Sequence, residues 1–212
     1  NCNEKDEFPE IDLSDTKTPV YINKKVFKNI IRQTAFATSL QESRPVLTGI
    51  NFKINGNTLE CTATDSYRLA RKKVEINSSL ENDINIVVPN RNLNELLKLL
   101  NEEDNDIEIH IFNNKVIFKF NTIIMMTRLI NGTYPDTSKL IPEEFKVKFI
   151  VNLNDYLEAI DRASLLTNET DKNTIKLESK NDLAIVSSSI PEIGNVEEKV
   201  YIKRESDEDI HI

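Results

Sequence analysis

The chain has 212 residues, 39% of them apolar, with 35 acidic against 27 basic side chains and a formal charge of −8. That length accommodates one large or two modest domains, each able to bury a core; the acidic balance disfavours a surface that grips nucleic acid over its whole extent, since such surfaces carry excess Lys and Arg. The two cysteines, Cys2 and Cys61, are too few for a disulfide framework and unspaced for a metal, which points to a reducing, cytosolic setting, and no apolar run approaches the length of a membrane span.

The opening, NCNEKDEFPEID, lacks a basic segment followed by an apolar one and does not read as a signal peptide. The absent initiating Met and the charged end ESDEDIHI point to a piece cut from a longer chain. KKVFKNIIRQTAFA then sets Phe27, Ile30 and Thr34 on one side of a predicted helix. Lys24, Lys28 and Arg32 recur every fourth residue, which at ~100° per residue puts them on roughly the opposite side. The spacing therefore predicts an apolar face and a basic face.

From Thr48 onward the period changes to two. Ile50, Phe52 and Ile54 alternate with polar residues, and Leu59, Cys61 and Ala63 resume the alternation after Asn55-Gly56-Asn57, which predicts a hairpin. The same period marks half-buried strands at Ile84, Ile86 and Val88, at Ile107, Ile109 and Ile111, and, after a turn at Asn113-Asn114, at Val116, Phe118 and Phe120. Between these strands NRNLNELLKLLNEE places Leu93, Leu96, Leu97 and Leu100 at helical spacing, with Asn90 or Asn92 as the expected cap.

A second copy of the helix-then-hairpin order follows the loop NGTYPDTSKLIPEEFK. In VNLNDYLEAIDRASLLTN, Leu157, Ile160, Arg162 and Ser164 match Phe27, Ile30, Arg32 and Thr34 at one constant offset of 130 residues, and TIKLESKNDLAIV reads like GINFKINGNTLEC. The first copy goes on to a second helix and three more strands, whereas the second runs out at Ile212. Duplicated α+β units, with helices packed on antiparallel sheets, are the expected fold.

Little in the chain supports catalysis. Only His110, expected to face solvent on a strand, and His211 are available for histidine-dependent chemistry. With so many carboxylates any chosen acid and base pair is a weak signal beside the reading of a solvated surface, and the isolated glycines form no phosphate loop. Met125 and Met126, inside TIIMMTRLI, read as core filling. No metal or cofactor is expected.

RPVLTGINF (44–52), ATDSYRLA (63–70) and LINGTYPDTSKLIP (129–142) resemble, in order and spacing, the sliding clamp of bacterial DNA polymerase III, the beta-subunit family. The resemblance implies a DNA-clamp fold, with residues 1–18 as the linker from a first domain (DEFP at its exit), 19–142 as the middle domain and 143–212 as the opening part of a third. It implies a head-to-tail homodimeric ring whose helices line a hole threaded by duplex DNA, without sequence specificity. The implied role is a non-catalytic, cytoplasmic, nucleoid-associated processivity factor in DNA replication. A weakly basic helix face on an acidic protein suits such sliding. DNA-facing candidates are Lys24, Lys25, Lys28 and Arg32 on the first helix, Arg91 and Lys98 on the second and Arg162 on the third. Gln41 and Arg44 belong to a rim loop where the family's aromatics are replaced by Pro45 and Val46.

The resemblance also implies a groove for short, partly apolar peptides of polymerase subunits, the clamp loader and repair proteins. Its walls would be Leu47, Thr64, Ser66, Tyr67, Arg68, Leu69, Pro135, Lys139 and Leu140. Tyr67 stands where His is frequent and Lys139 where Arg is, which alters the rim hydrogen bonds. Taken alone, Leu47, Leu69 and Leu140 read as core residues and Thr64-Asp65-Ser66 as a braced turn; Arg71, Lys72 and Lys73 read as solvated charge on an outer strand. Without its first domain and the rest of the third, the chain is expected to form no ring and to dock peptides weakly or not at all. The alternative, read without the resemblance, is an α+β enzyme with a carboxylate-based site or a general protein-interaction module.

Overall fold

A computed structural model of the protein describes residues 19–78, 80, 82–100, 105–167, 174–205 and 210–211. The expected linker over 1–18 lies outside the described residues. The chain divides into two compact units, Asn1–Asp136 and Thr137–Ile212, earlier than the boundary expected at 142. The chain stays tied to the first unit through Ile130 N donating to Val87 O (2.9 Å) and the Tyr134 hydroxyl accepting from Thr64 N (3.1 Å), and leaves it just afterwards.

Unit 1 consists of two halves built on one plan. The first runs β1 (Val20–Asn23), α1 (Lys24–Thr34), β2 (Gly49–Asn55), β3 (Thr58–Thr64) and β4 (Leu69–Glu75). The second runs β5 (Ile84–Pro89), α2 (Asn90–Leu99), β6 (Asp106–Ile111), β7 (Lys115–Phe120) and β8 (Ile123–Arg128). The antiparallel sheets have the orders β4-β3-β2-β5 and β1-β6-β7-β8, so each half lends its first strand to the other's sheet. That exchange ties the halves into one core, in which Phe27 of α1 meets Phe52 of β2 edge-on (6.2 Å between ring centroids) and Phe118 of β7 (5.7 Å).

The two helices are related residue by residue. Phe27, Ile30 and Thr34 stand 66 residues before Leu93, Leu96 and Leu100, and all six are buried. Asn23 caps α1, its Oδ1 accepting from Lys25 N and Val26 N, a bond worth roughly 1 kcal/mol. The cap expected for α2 is not there. Pro89 precedes α2 without a side-chain cap bond, because Asn90 donates instead to Ala35 O (3.2 Å) and Thr38 Oγ1 (2.6 Å), and Asn92 to Thr127 Oγ1 (2.5 Å). Both asparagines fasten neighbouring segments.

Three other expectations are corrected. Lys24 is fully buried, not on a basic surface: its Nζ donates to Asn121 Oδ1 (3.2 Å) and lies 5.4 Å from the centroid of the Phe120 ring. As the first helical residue it enters directly from a strand of the other half's sheet and is roofed by that half. His110 is 8% exposed, not solvent-facing: the Glu108 carboxylate, itself paired with Lys119, lies 3.2 Å from its Nε2, and its Nδ1 has no partner among the described residues. Met125 packs on the core, but Met126 points outward, as β8 alternates faces.

Unit 2 contains, among the described residues, one half of the same plan: β9 (Phe149–Val151), α3 (Leu153–Ser164), β10 (Lys176–Lys180), β11 (Leu183–Ile190) and β12 (Gly194–Arg204). A short β13 (Ile210–His211) pairs with β10 as β5 pairs with β2. The sheet order is β13-β10-β11-β12-β9. The repeat is real, but its helix register is one residue tighter than expected. The caps Asn23 and Asn152 are 129 residues apart, and that offset carries buried Ile30 and Thr34 onto buried Ala159 and Ala163. Leu157, matched to Phe27 at the 130-residue offset, is 52% exposed. The whole is a mixture of helices and antiparallel sheets, the α+β class. No helix among the described residues is long and apolar enough to cross a membrane.

Candidate docking surface and cationic helix faces

The three motifs lie far apart in sequence, and unit 1 brings their parts together. Residues 45–48 form a short 3-10 turn that carries Leu47 inward onto Val87 and Tyr134, with Val46 and Ile130 against this satellite core. Two glycines permit the approach. A Cβ on Gly49 would lie 2.7 Å from both Val87 Cγ1 and the Val88 carbonyl oxygen, and one on Gly132, whose φ is +133°, would lie 2.7 Å from Val46 Cγ1. Tyr134 then spans from Leu47 to the end of β3, where its hydroxyl accepts the Thr64 N–H. Burial raises the Tyr134 pKa, so the phenol keeps its proton.

The turn at 64–68 is held almost wholly by its own side chains. Thr64 Oγ1 donates to Arg68 O (2.7 Å) and accepts from Ser66 N (3.1 Å), which pins Ser66 at φ 81°. Asp65 Oδ1 accepts from Tyr67 N and Arg68 N (both 3.0 Å), while its Oδ2 takes Arg68 Nε (3.0 Å). Arg44 of the expected rim loop reaches the same turn, donating to Ser66 Oγ at 3.4 Å. The result presents Tyr67, 98% exposed, beside Arg68 and half-buried Leu69.

Asp65 is what makes this turn depend on pH. Slight burial raises its pKa, but the backbone N–H groups of Tyr67 and Arg68 and the Arg68 guanidinium outweigh that and hold it below the ordinary Asp value. A depressed folded pKa gives stabilisation that is complete above the unfolded value of about 3.9 and is lost as pH falls through the lower folded value. The Tyr67 and Arg68 amide proton shifts should therefore collapse together below about pH 4 in an NMR titration. Asp65→Asn should abolish that transition; its persistence in the variant would assign it to another group.

Of the expected groove residues, Leu47, Thr64, Ser66, Tyr67, Arg68, Leu69 and Pro135 all belong to unit 1, with Leu47 and Thr64 buried as supports and Ser66, Tyr67, Arg68 and Pro135 exposed. Lys139 and Leu140 belong to unit 2 and are exposed, Leu140 N donating to Thr137 O. Tyr134, which joins the motifs, escaped the sequence reading; a tyrosine beside a Gly-bearing loop was the available signal.

The helix cations sort differently from the expected stripe. Lys24 is lost to the core, and Lys28 is half-buried with Nζ on Leu100 O (3.4 Å). Exposed Lys25 and Arg32 lie 66 residues before exposed Arg91 and Lys98, at equivalent positions of the two halves; Lys98 also pairs with Glu95 (2.8 Å). In α3 those positions are Asn154 and Asp161. Arg162 is instead held by Glu198 (3.1 Å) and Glu158 (3.3 Å), which raise its pKa and occupy its guanidinium. Gln41 and Arg44 are exposed. Among the described residues no cluster of three His, Cys, Asp or Glu is arranged to hold a metal ion, and burial pushes the Cys61 thiol well above its ordinary pKa.

Residues 21–136 match the family profile described as DNA polymerase III beta subunit, central domain, and residues 138–212 that of its C-terminal domain. The beta sliding clamp of Staphylococcus epidermidis is 46% identical over 193 residues, 91% of this chain and 50% of the relative. That of Bacillus subtilis is 40% identical over 208 residues, 98% of this chain and 55% of the relative. The crystal structure of the Bacillus subtilis clamp has a TM-score of 0.94 at 39% identity, covering 99% of this chain and 55% of that one. A Bartonella birtlesii sliding clamp bound to griselimycin has a TM-score of 0.87 at 29% identity, covering 98% of this chain and 56% of that one. Repeated β-α-β-β-β halves exchanging first strands define a DNA-clamp fold. The chain belongs to the DNA polymerase III beta subunit family, and it spans about half the length of the curated relatives it matches.

Proposed function

We propose that the chain is part of a sliding clamp, a non-catalytic cytoplasmic processivity factor. In the whole protein, a head-to-tail dimeric ring would encircle duplex DNA and tether polymerase subunits, the clamp loader and repair proteins through short peptides. The observation that carries this reading is the convergence of residues 45–48, 64–69 and 130–135 on one surface of unit 1, with Tyr67 and the Arg68 guanidinium presented outward above buried Leu47 and Tyr134. An apolar floor with a polar rim suits a short linear peptide.

The helix faces supply the second role. Lys25, Arg32, Arg91 and Lys98 give a thin cationic lining to a protein of charge −8, enough to attract phosphates without fixing a base register. Lys24 and Arg162 are left out of this face, and the half-buried Lys28 spends its Nζ on the Leu100 carbonyl. Residues 1–18 are read as the linker, unit 1 as the middle domain and unit 2 as part of the third.

Griselimycin, which the Bartonella birtlesii clamp binds, is the direct probe. Added to the isotope-labelled chain, it should shift the backbone amides of Leu47, Tyr67, Arg68 and Leu69 and leave those of β7 unmoved. Shifts absent from 64–69 at saturating ligand would sink the docking reading.

A further inference from the structure

An asparagine followed by glycine is the step at which a peptide chain most readily attacks itself, because the glycine amide has no Cβ beside it to screen or stiffen it. The sequence has two such steps, Asn55-Gly56 and Asn131-Gly132, and the fold treats them differently. Asn55 ends β2 opposite Thr58, and its Nδ2 donates to Asp83 Oδ2 at 3.1 Å. Asn131 is exposed, lies outside every strand and helix, and its side-chain amide makes no hydrogen bond among the described residues. The Gly132 N–H, the group that would attack, makes none among them either.

The chain around Asn131 is fastened on both sides. Ile130 N donates to Val87 O at 2.9 Å, and the Tyr134 hydroxyl accepts from Thr64 N at 3.1 Å, which leaves residues 131–133 as the span between the two fastenings. Within that span Gly132, at φ +133°, lies so close to Val46 that a Cβ on it would stand 2.7 Å from Val46 Cγ1. A longer main chain has no slack to occupy here.

We propose that Asn131-Gly132 is a site of spontaneous backbone modification that disables the docking surface with time. The Gly132 nitrogen, its proton taken by hydroxide, bonds to Asn131 Cγ; the Cγ–Nδ2 bond breaks, and the departing nitrogen takes a proton from water and leaves as ammonia. Water then opens the resulting cyclic imide at either carbonyl. Opening at Cγ gives aspartate. Opening at the Asn131 backbone carbonyl gives isoaspartate, in which the main chain runs through Cβ and is longer by a methylene. Both products replace a neutral amide with a carboxylate, but only isoaspartate lengthens the span between Ile130 and Tyr134, so it is the product that draws Tyr134 away from Thr64. The effect on docking rests on the docking reading, whereas the chemistry at Asn131 does not.

The test warms the whole chain at mildly alkaline pH and follows both asparagines by peptide mapping, in which isoaspartate and aspartate forms separate from the parent. Asn131 should convert about fivefold or more faster than Asn55, the ratio set by the hydrogen bond that Asn55 must first release. Amide exchange at Thr64 should speed up in step with the isoaspartate fraction, and the shifts caused by griselimycin at 64–69 should weaken by the same fraction. Asn131→Gln, whose longer side chain closes the ring far more slowly, should age without either change. Freshly prepared Asn131→Asp, which carries the charge without the methylene, should keep Thr64 protected. Equal or faster conversion at Asn55 overturns the assignment of the site. Isoaspartate at 131 with Thr64 protection intact, or an equal loss of protection in fresh Asn131→Asp, overturns the role of the lengthened backbone. If the fresh chain shows no griselimycin shifts, the docking reading fails, while peptide mapping and Thr64 exchange still decide the modification and its structural effect.

Discussion

Phe27→Ala is expected to remove about 3–5 kcal/mol from the stability of unit 1, the range for truncating a buried aromatic to Ala. Phe27 is fully buried at the centre of a three-ring contact, and its two partners belong to different sheets: Phe52 to β4-β3-β2-β5 and Phe118 to β1-β6-β7-β8. The residue thus fills space between elements that come from different halves. Neither sheet closes the void alone, since each is pinned by the first strand of the other half. Edge-on aromatic packing adds roughly 0.5–1.5 kcal/mol per pair beyond the area term, which places the loss toward the upper part of the range. Native-state hydrogen exchange gives the measurement. The slowest amides of β2 and β7 should lose protection together, while those of β11 in unit 2 keep theirs. A fall below about 1 kcal/mol, or a loss confined to one sheet, would show that the halves do not share one cooperative core.

The same geometry explains what the sequence did and did not reveal. Hairpins and helices were legible because their signals are local: alternation of Ile50, Phe52 and Ile54, the Gly56 turn at φ +52°, and the four leucines of α2. Lys24 was misread because it shares its helical period with Arg32. What buries it is a turn near Asn121, 97 residues away, which no local pattern records. Asn90 looked like a cap for the same reason. An asparagine before an apolar run has that statistical role, but here its amide is used by a segment 52 to 55 residues earlier.

The repeat was found at the wrong offset because matching apolar letters favours Leu157 on Phe27, whereas the cap and the small buried residues Ala159 and Ala163 fix the register by packing. That single-residue change bears on function. It replaces the equivalence of Arg162 and Arg32 with one between Asp161 and Arg32, and it leaves the third helix without a cation at either position shared by α1 and α2. The duplication inside unit 1 was missed for a related reason. Phe27, Ile30 and Thr34 share no identity with Leu93, Leu96 and Leu100, and only the second pair matches in size, so their common burial is what reveals the relation.

Tyr134 tests how the docking surface is supported. Tyr134→Phe leaves the ring beneath Leu47 but removes the oxygen that accepts the Thr64 N–H. Leaving that buried donor unpaired costs about 1–3 kcal/mol, while the bonds from Asp65 and Thr64 inside the turn remain. Tyr134→Ala removes the ring as well, a packing loss of about 3–5 kcal/mol. It falls on the satellite cluster of Leu47, Val87 and Ile130 and spares the main core. The two variants should therefore differ in kind. In Tyr134→Phe, the shifts caused by griselimycin should need about fivefold or more ligand to appear, with amide protection lowered at Thr64 alone. In Tyr134→Ala, protection at Leu47, Thr64 and Ile130 should be lost together and the ligand-induced shifts at 64–69 should vanish, while β7 amides stay protected. If Tyr134→Ala still binds, the turn stands on Asp65 and Thr64 alone; the convergence of the three segments would then be a packing arrangement without consequence for docking.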